Sequence, residues 1–201
     1  MVGVSGASGA AYALRLMDAL LAGGHQVHLV VTEYGQRLLH DEMGVSRATW
    51  DDLSPHLPLT MGGGSGGAGA RDRLFVHPFR DAGASIASGS FVHQGMVVIP
   101  ASSQSLGAIA SGAGSNLLVR AAHVTLKERR TLIVCHRESP LNLIDIEAMR
   151  TITLAGGIIC PLNPGYYLKP KGLSDLVDFM IAKVLDLLKV PHGLSERWGR
   201  D

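Results

Sequence analysis

Five short runs of this chain are apolar over most of their length: QVHLVV (26–31), RLFVHP (73–78), MVVIPA (96–101), TLIVCH (131–136) and GIICPL (157–162). Several are apolar on both faces, which suits strands covered on both sides, as in a parallel sheet. Between them lie amphipathic stretches with helical spacing: Ala10–Ala22, about Glu33–Glu42, about Ser103–Ser111, Asn116–Arg129, Asn142–Leu154 and Leu173–Leu188. This alternation predicts an α/β fold, a single doubly wound, mostly parallel sheet with helices on both faces, Rossmann-like or flavodoxin-like in three layers. Such sheets bind ligands beyond the carboxyl ends of their strands. The residues that follow each apolar run are therefore the first candidates for a site.

At 201 residues, 46% of them hydrophobic, the chain is read as one α/β domain over 1–201 with a sizeable core. The stretch MGGGSGGAGARDR (61–73) is a Gly-rich surface loop rather than a linker, because neither side of it carries a complete alternation of its own. The segment 190–201 reads as a C-terminal tail in which Trp198, the large aromatic among polar neighbours, docks on a neighbouring subunit. Eighteen basic against 17 acidic residues give a net charge of +1, which argues against nucleic acid or an anionic membrane surface as partner. No run is long enough for a membrane span. Cys135 and Cys160 lie in strand-like runs and read as buried reduced thiols. No metal is expected, since neither they nor the nine histidines show ligand spacing. The opening has no basic and apolar leader pattern, so a cytoplasmic protein is expected.

The chain begins with a minimal strand, Val2–Val4, then Ser5-Gly6-Ala7-Ser8-Gly9, then a helix. Unpaired N–H groups at a helix start hold phosphates, and glycines let the backbone approach closely. The pattern is neither GxGxxG nor a Walker loop, and a Ser N-cap with turn glycines explains it equally well. Ser102, Ser103, Gln104 and Ser105 stand at the end of MVVIPA, where they cap a helix or bind a polar part of the same ligand. Thr32 closes QVHLVV on the same edge. Arg120, His123 and Lys127 share a helix face, and a partly buried Arg120–Lys127 pair needs an anion. Arg129 and Arg130 read as a solvated face complementing the helix end. Arg137 and Glu138 follow TLIVCH, where Arg can hold an anion and Glu can move a proton. Tyr166 and Tyr167 follow a Pro-Gly turn and either pack or line a pocket.

In order, SGASG, PASSQSL, SNLLVRAAHVTLKERR, RESPLNLIDIEAM, NPGYY and LSDLVDFMIAKVLDLL resemble the UbiX family of flavin prenyltransferases, over nearly the whole chain. LKERR followed by RESPLNLIDIEAM is the most specific part. The resemblance implies a doubly wound sheet that binds FMN at a subunit interface, in a dodecamer. It implies transfer of a dimethylallyl group from dimethylallyl phosphate to N5 and C6 of reduced FMN, without a metal. The product, prenylated FMN, would serve UbiD-type decarboxylases. By position, Gly6, Ala7, Ser8, Thr32, Ser102, Ser103, Gln104, Ser105 and Arg137 would contact FMN. Tyr167 and Lys183 would hold the prenyl phosphate, supported by Arg120 and Lys127. Glu138 would be the acid/base, with Lys127, Ser8 and Glu42 as further catalytic positions. Ser88, Ser90 and Trp198 match further positions near the substrate. Lys183 stands where the family often has Arg, which keeps the charge but loses the bidentate fork. Ala101 replaces a frequent Cys, and Val119 lies where an acidic residue can occur. A flavin-dependent cysteine decarboxylase of the wider group would carry a His well before the PAS run and Met and Trp in the loop occupied here by PLNPGYY. A non-catalytic flavin carrier is disfavoured by Glu138 and Lys127.

Overall fold

The computed structural model describes residues 1–58 and 69–194. The elements are β1 (Val2–Val4), α1 (Ala10–Ala22), β2 (Val27–Val31), α2 (Glu33–Met43), α3 (Trp50–Leu53), β3 (Leu74–His77), β4 (Gly95–Ala101), α4 (Ser103–Ser111), α5 (Leu117–Lys127), β5 (Thr131–His136), α6 (Leu143–Leu154), β6 (Ile158–Ile159) and α7 (Leu173–Leu187). All strand pairs are parallel, in the order β3-β2-β1-β4-β5-β6. From β1 the chain winds outward through β2 and β3, then returns to lay β4 on the other side of β1. The carboxyl ends of β1 and β4 thus flank the point where strand order reverses, the place where open α/β sheets leave a crevice.

Residues alternate between two cores along each strand. Leu29, Val97, Ile99 and Ile133 face the layer that contains α1 and α7, with Leu16, Met17, Leu21, Ile181 and Val184. Val30, Met96, Val98, Leu132 and Val134 face the layer of α4, α5 and α6, with Leu106, Leu118 and Ile152. This is why the runs are apolar on both faces. Arg15 of α1 ties the first layer together, bonding Asp18 at 2.5 Å and Asp178 of α7 at 2.5 Å.

Side-chain caps open most of the longer helices. Thr32, Ser102 and Asn116 accept the N–H of the residue three ahead, and Asn142 and Asp145 form a reciprocal capping box. Helix α1 differs. Its N-cap is Gly9, with φ of 122° and no side-chain cap, so Ser8 does not cap it.

Two element bounds are corrected. Only Ile158–Ile159 of GIICPL pair as a strand, at the edge of the sheet, where Pro161 turns its missing donor away from β5. Two further bonds, Cys160 N–H to the Val134 carbonyl and Leu162 N–H to that of His136, keep the segment beside β5. Helix α5 stops at Lys127 rather than at Arg129, which has turned left-handed with φ of 57°. Within 61–73, Arg71–Arg73 form a 3₁₀ turn, and Arg73 Nη2 donates to the Leu21 carbonyl. The rest of that loop up to residue 68 lies outside the described residues, as do residues 195–201 with Trp198. No described helix is long and apolar enough to cross a membrane.

Histidines gather on the β2–β3 side of the sheet. His28 stacks on Phe75 with ring centres 4.7 Å apart, meets the Phe91 edge at 4.8 Å, and has Nδ1 2.9 Å from His77 Nε2. Burial is the main cause that holds the imidazoles of His28 and His93 down at about 4, and it lowers that of His77. Between pH 6.5 and about 4 the unfolded chain binds protons at these sites that the folded chain refuses. Stability is therefore complete above pH 6.5 and is lost as the pH falls toward 4. Thermal melts across this window should show the fall, and His28→Phe should flatten it.

Candidate active site

Ser5, the residue directly after β1, joins the two strands at the switch point. Its N–H and its hydroxyl both donate to the Pro100 carbonyl, at 3.2 and 3.1 Å, and its Oγ accepts the Ser102 N–H at 2.9 Å. Pro100 lies in a central strand where it donates nothing, and the β4–β5 register shifts between Val98 and Ala101. The hydroxyl immediately following a buried strand was the signal for Ser5, which sequence reasoning left out of the site.

Two glycines let α2 press against the end of β1. A Cβ on Gly35 would lie 2.5 Å from the Val4 carbonyl oxygen, and one on Gly6 would lie 2.4 Å from Tyr34 Cβ. This approach brings Thr32 and Tyr34 beside the α4 start. A cavity of about 410 Å³ results, within the range of small-molecule sites. Gly6, Thr32, Ser102, Ser103, Gln104 and Ser105 line it, with Glu138 from the end of β5 and the apolar Phe79 and Val119. Thr32 Oγ1 accepts the Gly35 N–H at 3.0 Å, and Ser102 Oγ accepts that of Ser105 at 3.2 Å. These hydroxyls cap helices and line the cavity at once, so the two readings of them are compatible. Ser102→Ala should cost about 1 kcal/mol, the value of a lost cap, as a lower urea midpoint.

A second group stands nearby on the same edge. Glu42 of α2 places its carboxylate on the start of α1, accepting the N–H groups of Gly9 at 2.9 Å and Ala10 at 2.8 Å. The anion at the opening helix is thus a side chain of the chain itself. Arg137 Nε donates to the Ser8 carbonyl at 3.2 Å, and Glu138 Oε1 accepts the Ser139 N–H at 3.0 Å. Both are exposed.

The remaining candidates lie elsewhere in the single chain. Exposed Tyr167 meets Phe179 of α7 edge-on at 5.6 Å, and Lys183 is exposed one helical turn further along α7. Beneath them Cys135 and Cys160 are buried and free. A hydrogen bond to Cys160, then burial, pushes the Cys135 thiol up. Arg120 Nε donates to the Ala87 carbonyl at 3.2 Å, and the hydroxyls of Ser88 and Ser90 are 2.8 Å apart. Lys127 pairs with its neighbour Glu128, and that bond holds the Glu128 carboxyl below its usual range. Arg120 and Lys127 are exposed rather than partly buried, and His123 turns instead to the Ile109 carbonyl. Arg130 is tied to the Phe91 and Gly89 carbonyls rather than solvated. Lys127, Ser88 and Ser90 sit just before β4 and β5, at the amino edge of the sheet, the end away from the cavity.

Residues 1–185 match the model of the flavoprotein family. The chain is also 40% identical over 200 residues to a flavin prenyltransferase UbiX of Halalkalibacterium halodurans, covering 100% of this chain and 93% of that one. The chain belongs to the UbiX family of flavin prenyltransferases. A UbiX crystal structure, AnUbiX in complex with FMN and dimethylallyl pyrophosphate, has a TM-score of 0.84 and 32% identity, covering 98% of this chain and 95% of that one. A dodecameric FMN-dependent UbiX-like decarboxylase of Escherichia coli O157:H7 also has a TM-score of 0.84 at 32% identity, covering 98% and 97%. The UbiX assignment thus agrees with the sheet order and with a cavity at its switch point.

Proposed function

We propose that this chain transfers a dimethylallyl group from dimethylallyl phosphate to N5 and C6 of reduced FMN, and that the prenylated FMN serves a UbiD-type decarboxylase. The observation that carries the reading is the cavity between β1 and β4 in a chain that matches UbiX enzymes from end to end. The residues present fit a flavin: hydroxyls and N–H groups at the starts of α2 and α4 on one wall, apolar Phe79 and Val119 on another, and glycine at position 6. Gly6, Ala7, Ser8, Thr32, Ser102–Ser105 and Arg137 would hold FMN. When bound, the reduced flavin supplies the electron-rich ring atoms that accept the prenyl carbon.

The chain's own residues supply the rest. A phosphate leaves without a metal only where cations and donors absorb its charge. Tyr167, Lys183, Arg120 and Lys127 are those groups, with Ser88 and Ser90 adding hydroxyls. Glu138 at the cavity gives and takes the proton, and Glu42 and Ser8 order the α1 start beside it. Lys127, Ser88 and Ser90 lie at the opposite sheet edge from Glu138, so a site that uses both draws them from different copies of the chain. The related UbiX-like decarboxylase is dodecameric, which supports a shared site. So do Leu143, Ile144 and Leu154 of α6 and Leu173 of α7, each at least 70% exposed and apolar. A cytoplasmic location goes with this reading, as does Trp198 on a neighbouring subunit.

The deciding experiment is anaerobic. The protein is mixed with reduced FMN and dimethylallyl phosphate, and the extracted flavin is weighed by mass spectrometry. A flavin heavier by one C5 prenyl unit is expected, and unmodified flavin overturns the reading.

A further inference from the structure

The two cysteines of the chain, both free, stand side by side on neighbouring strands. Val134 pairs with Ile159 in the β5–β6 ladder. The bonds from the Cys160 N–H to the Val134 carbonyl, at 2.9 Å, and from the Leu162 N–H to the His136 carbonyl, at 3.1 Å, carry the same register onward. Cys135 is therefore the lateral neighbour of Cys160, and both side chains enter the core that faces α1 and α7. Adjacent strands lie about 4.8 Å apart, and a disulfide spans Cα separations of roughly 4.4–6.8 Å. The pair is within reach of a bridge without any change of register.

The two thiols differ in access. Cys135 is fully buried at 0% exposure, whereas Cys160, on the edge strand, keeps 8%. Cys135 as neighbouring donor, then the charge of Lys183, brings the Cys160 thiol down to about 7 although burial opposes this. Cys160 is thus the nucleophile and Cys135 the resolving thiol. Both sit at the roots of site loops. Arg137 and Glu138 follow Cys135, and the segment that carries Tyr167 follows Cys160. A bridge holds its Cβ atoms about 3.8 Å apart, so closing it draws the strands together by about 1 Å. The edge strand β6, which pairs with β5 alone, is the one that yields.

We propose that Cys135 and Cys160 are a redox modification site, at which a peroxide closes a disulfide that draws β6 onto β5 and slows prenyl transfer. The Cys160 thiolate attacks one peroxide oxygen, the O–O bond breaks, and a sulfenic acid and water result. The Cys135 sulfur then attacks that of Cys160, the S–O bond breaks, and the hydroxide leaves as water with the Cys135 proton. Two thiols and one hydrogen peroxide give one disulfide and two waters, the sulfurs losing the two electrons that the peroxide gains. The effect on rate rests on the prenyltransferase reading, and so does the source of the oxidant, since reduced flavin that meets dioxygen yields hydrogen peroxide.

Hydrogen peroxide added to the full-length protein tests it. The intact mass should fall by about 2 Da, the two hydrogens of one disulfide, and thiols titrated after unfolding should drop from two to none. Trypsin should release residues 131–137 joined to 151–171, and dithiothreitol should restore both thiols. Cys135→Ala, which lacks the resolving thiol, should gain oxygen at Cys160 instead, and Cys160→Ala should keep its one thiol. Single turnovers with light-reduced FMN and dimethylallyl phosphate, after the peroxide is removed, should be slowed about 10²-fold by the 1 Å displacement and recover with dithiothreitol. Both cysteine variants should lose that reversible inhibition. Two thiols surviving peroxide in the wild type, or added oxygen without a bridge, overturns the proposal. Equal rates with and without the bridge overturn its effect on transfer. A bridge that forms in a protein without transfer in either state overturns the prenyltransferase reading and not the modification site.

Discussion

Glu138→Gln should slow prenyl transfer on the order of 10²- to 10⁴-fold, the usual worth of a positioned proton carrier, while the affinity for FMN stays close to that of the wild type. The substitution keeps the shape of the side chain. Among the described residues the Glu138 carboxylate holds the Ser139 N–H, at 3.0 Å, and an amide oxygen can take that bond. What is lost is the charge and the ability to carry a proton, at an exposed side chain on the cavity. Single-turnover assays reading extracted flavin by mass spectrometry measure the rate, and fluorescence titration measures binding. A rate equal to that of the wild type would remove Glu138 from the acid/base role.

Gly35→Ala should cost about 3 kcal/mol, near the upper end for an overpacked site, and lower the melting temperature by roughly 6–12 °C. The added carbon would meet the Val4 carbonyl oxygen at 2.5 Å and its carbon at 2.9 Å. Backbone at the end of a central strand cannot step aside as a flexible side chain can. Relief must move α2 away from β1, and with it Thr32 and Tyr34, so FMN affinity should fall together with stability. Gly107→Ala is the control. A Cβ there meets nothing within 4 Å inside α4, and alanine in a helix interior is worth about 0.5–1 kcal/mol over glycine. That variant should melt at or above the wild-type temperature. Equal melting of Gly35→Ala and wild type would show that the β1–α2 contact is not tight.

Much of this fold is legible in the chain because its signals are local. Apolar runs between helical patterns mark the strands and predict a covered parallel sheet, and both cores then fill from alternate residues of the same runs. The helix starts carry their own marks in Thr32, Ser102, Asn116 and Asn142, whose side chains reach three residues ahead. Strand-end logic likewise leads to Thr32, Ser102–Ser105 and Glu138, which do surround one cavity. GIICPL misleads because its apolar run shows that the segment is buried and not how far its ladder extends. The basic face of α5 misleads because spacing shows which residues share a side and not what covers it.

By itself, then, the sequence determined the class of sheet, the starts of the helices and the strand ends where a ligand belongs. Each of these depends on contacts within a few residues or on alternation along one element. Tertiary structure alone decided which distant groups meet. Glu42 caps a helix 32 residues before it, Ser5 clasps Pro100 across the switch point, and Ser103 meets His136. It also decided that Lys127 and Glu138 lie at opposite ends of the same sheet. These pairings follow from strand order and helix docking, which are set by the long-range burial of two apolar faces and leave no local mark on the residues they bring together.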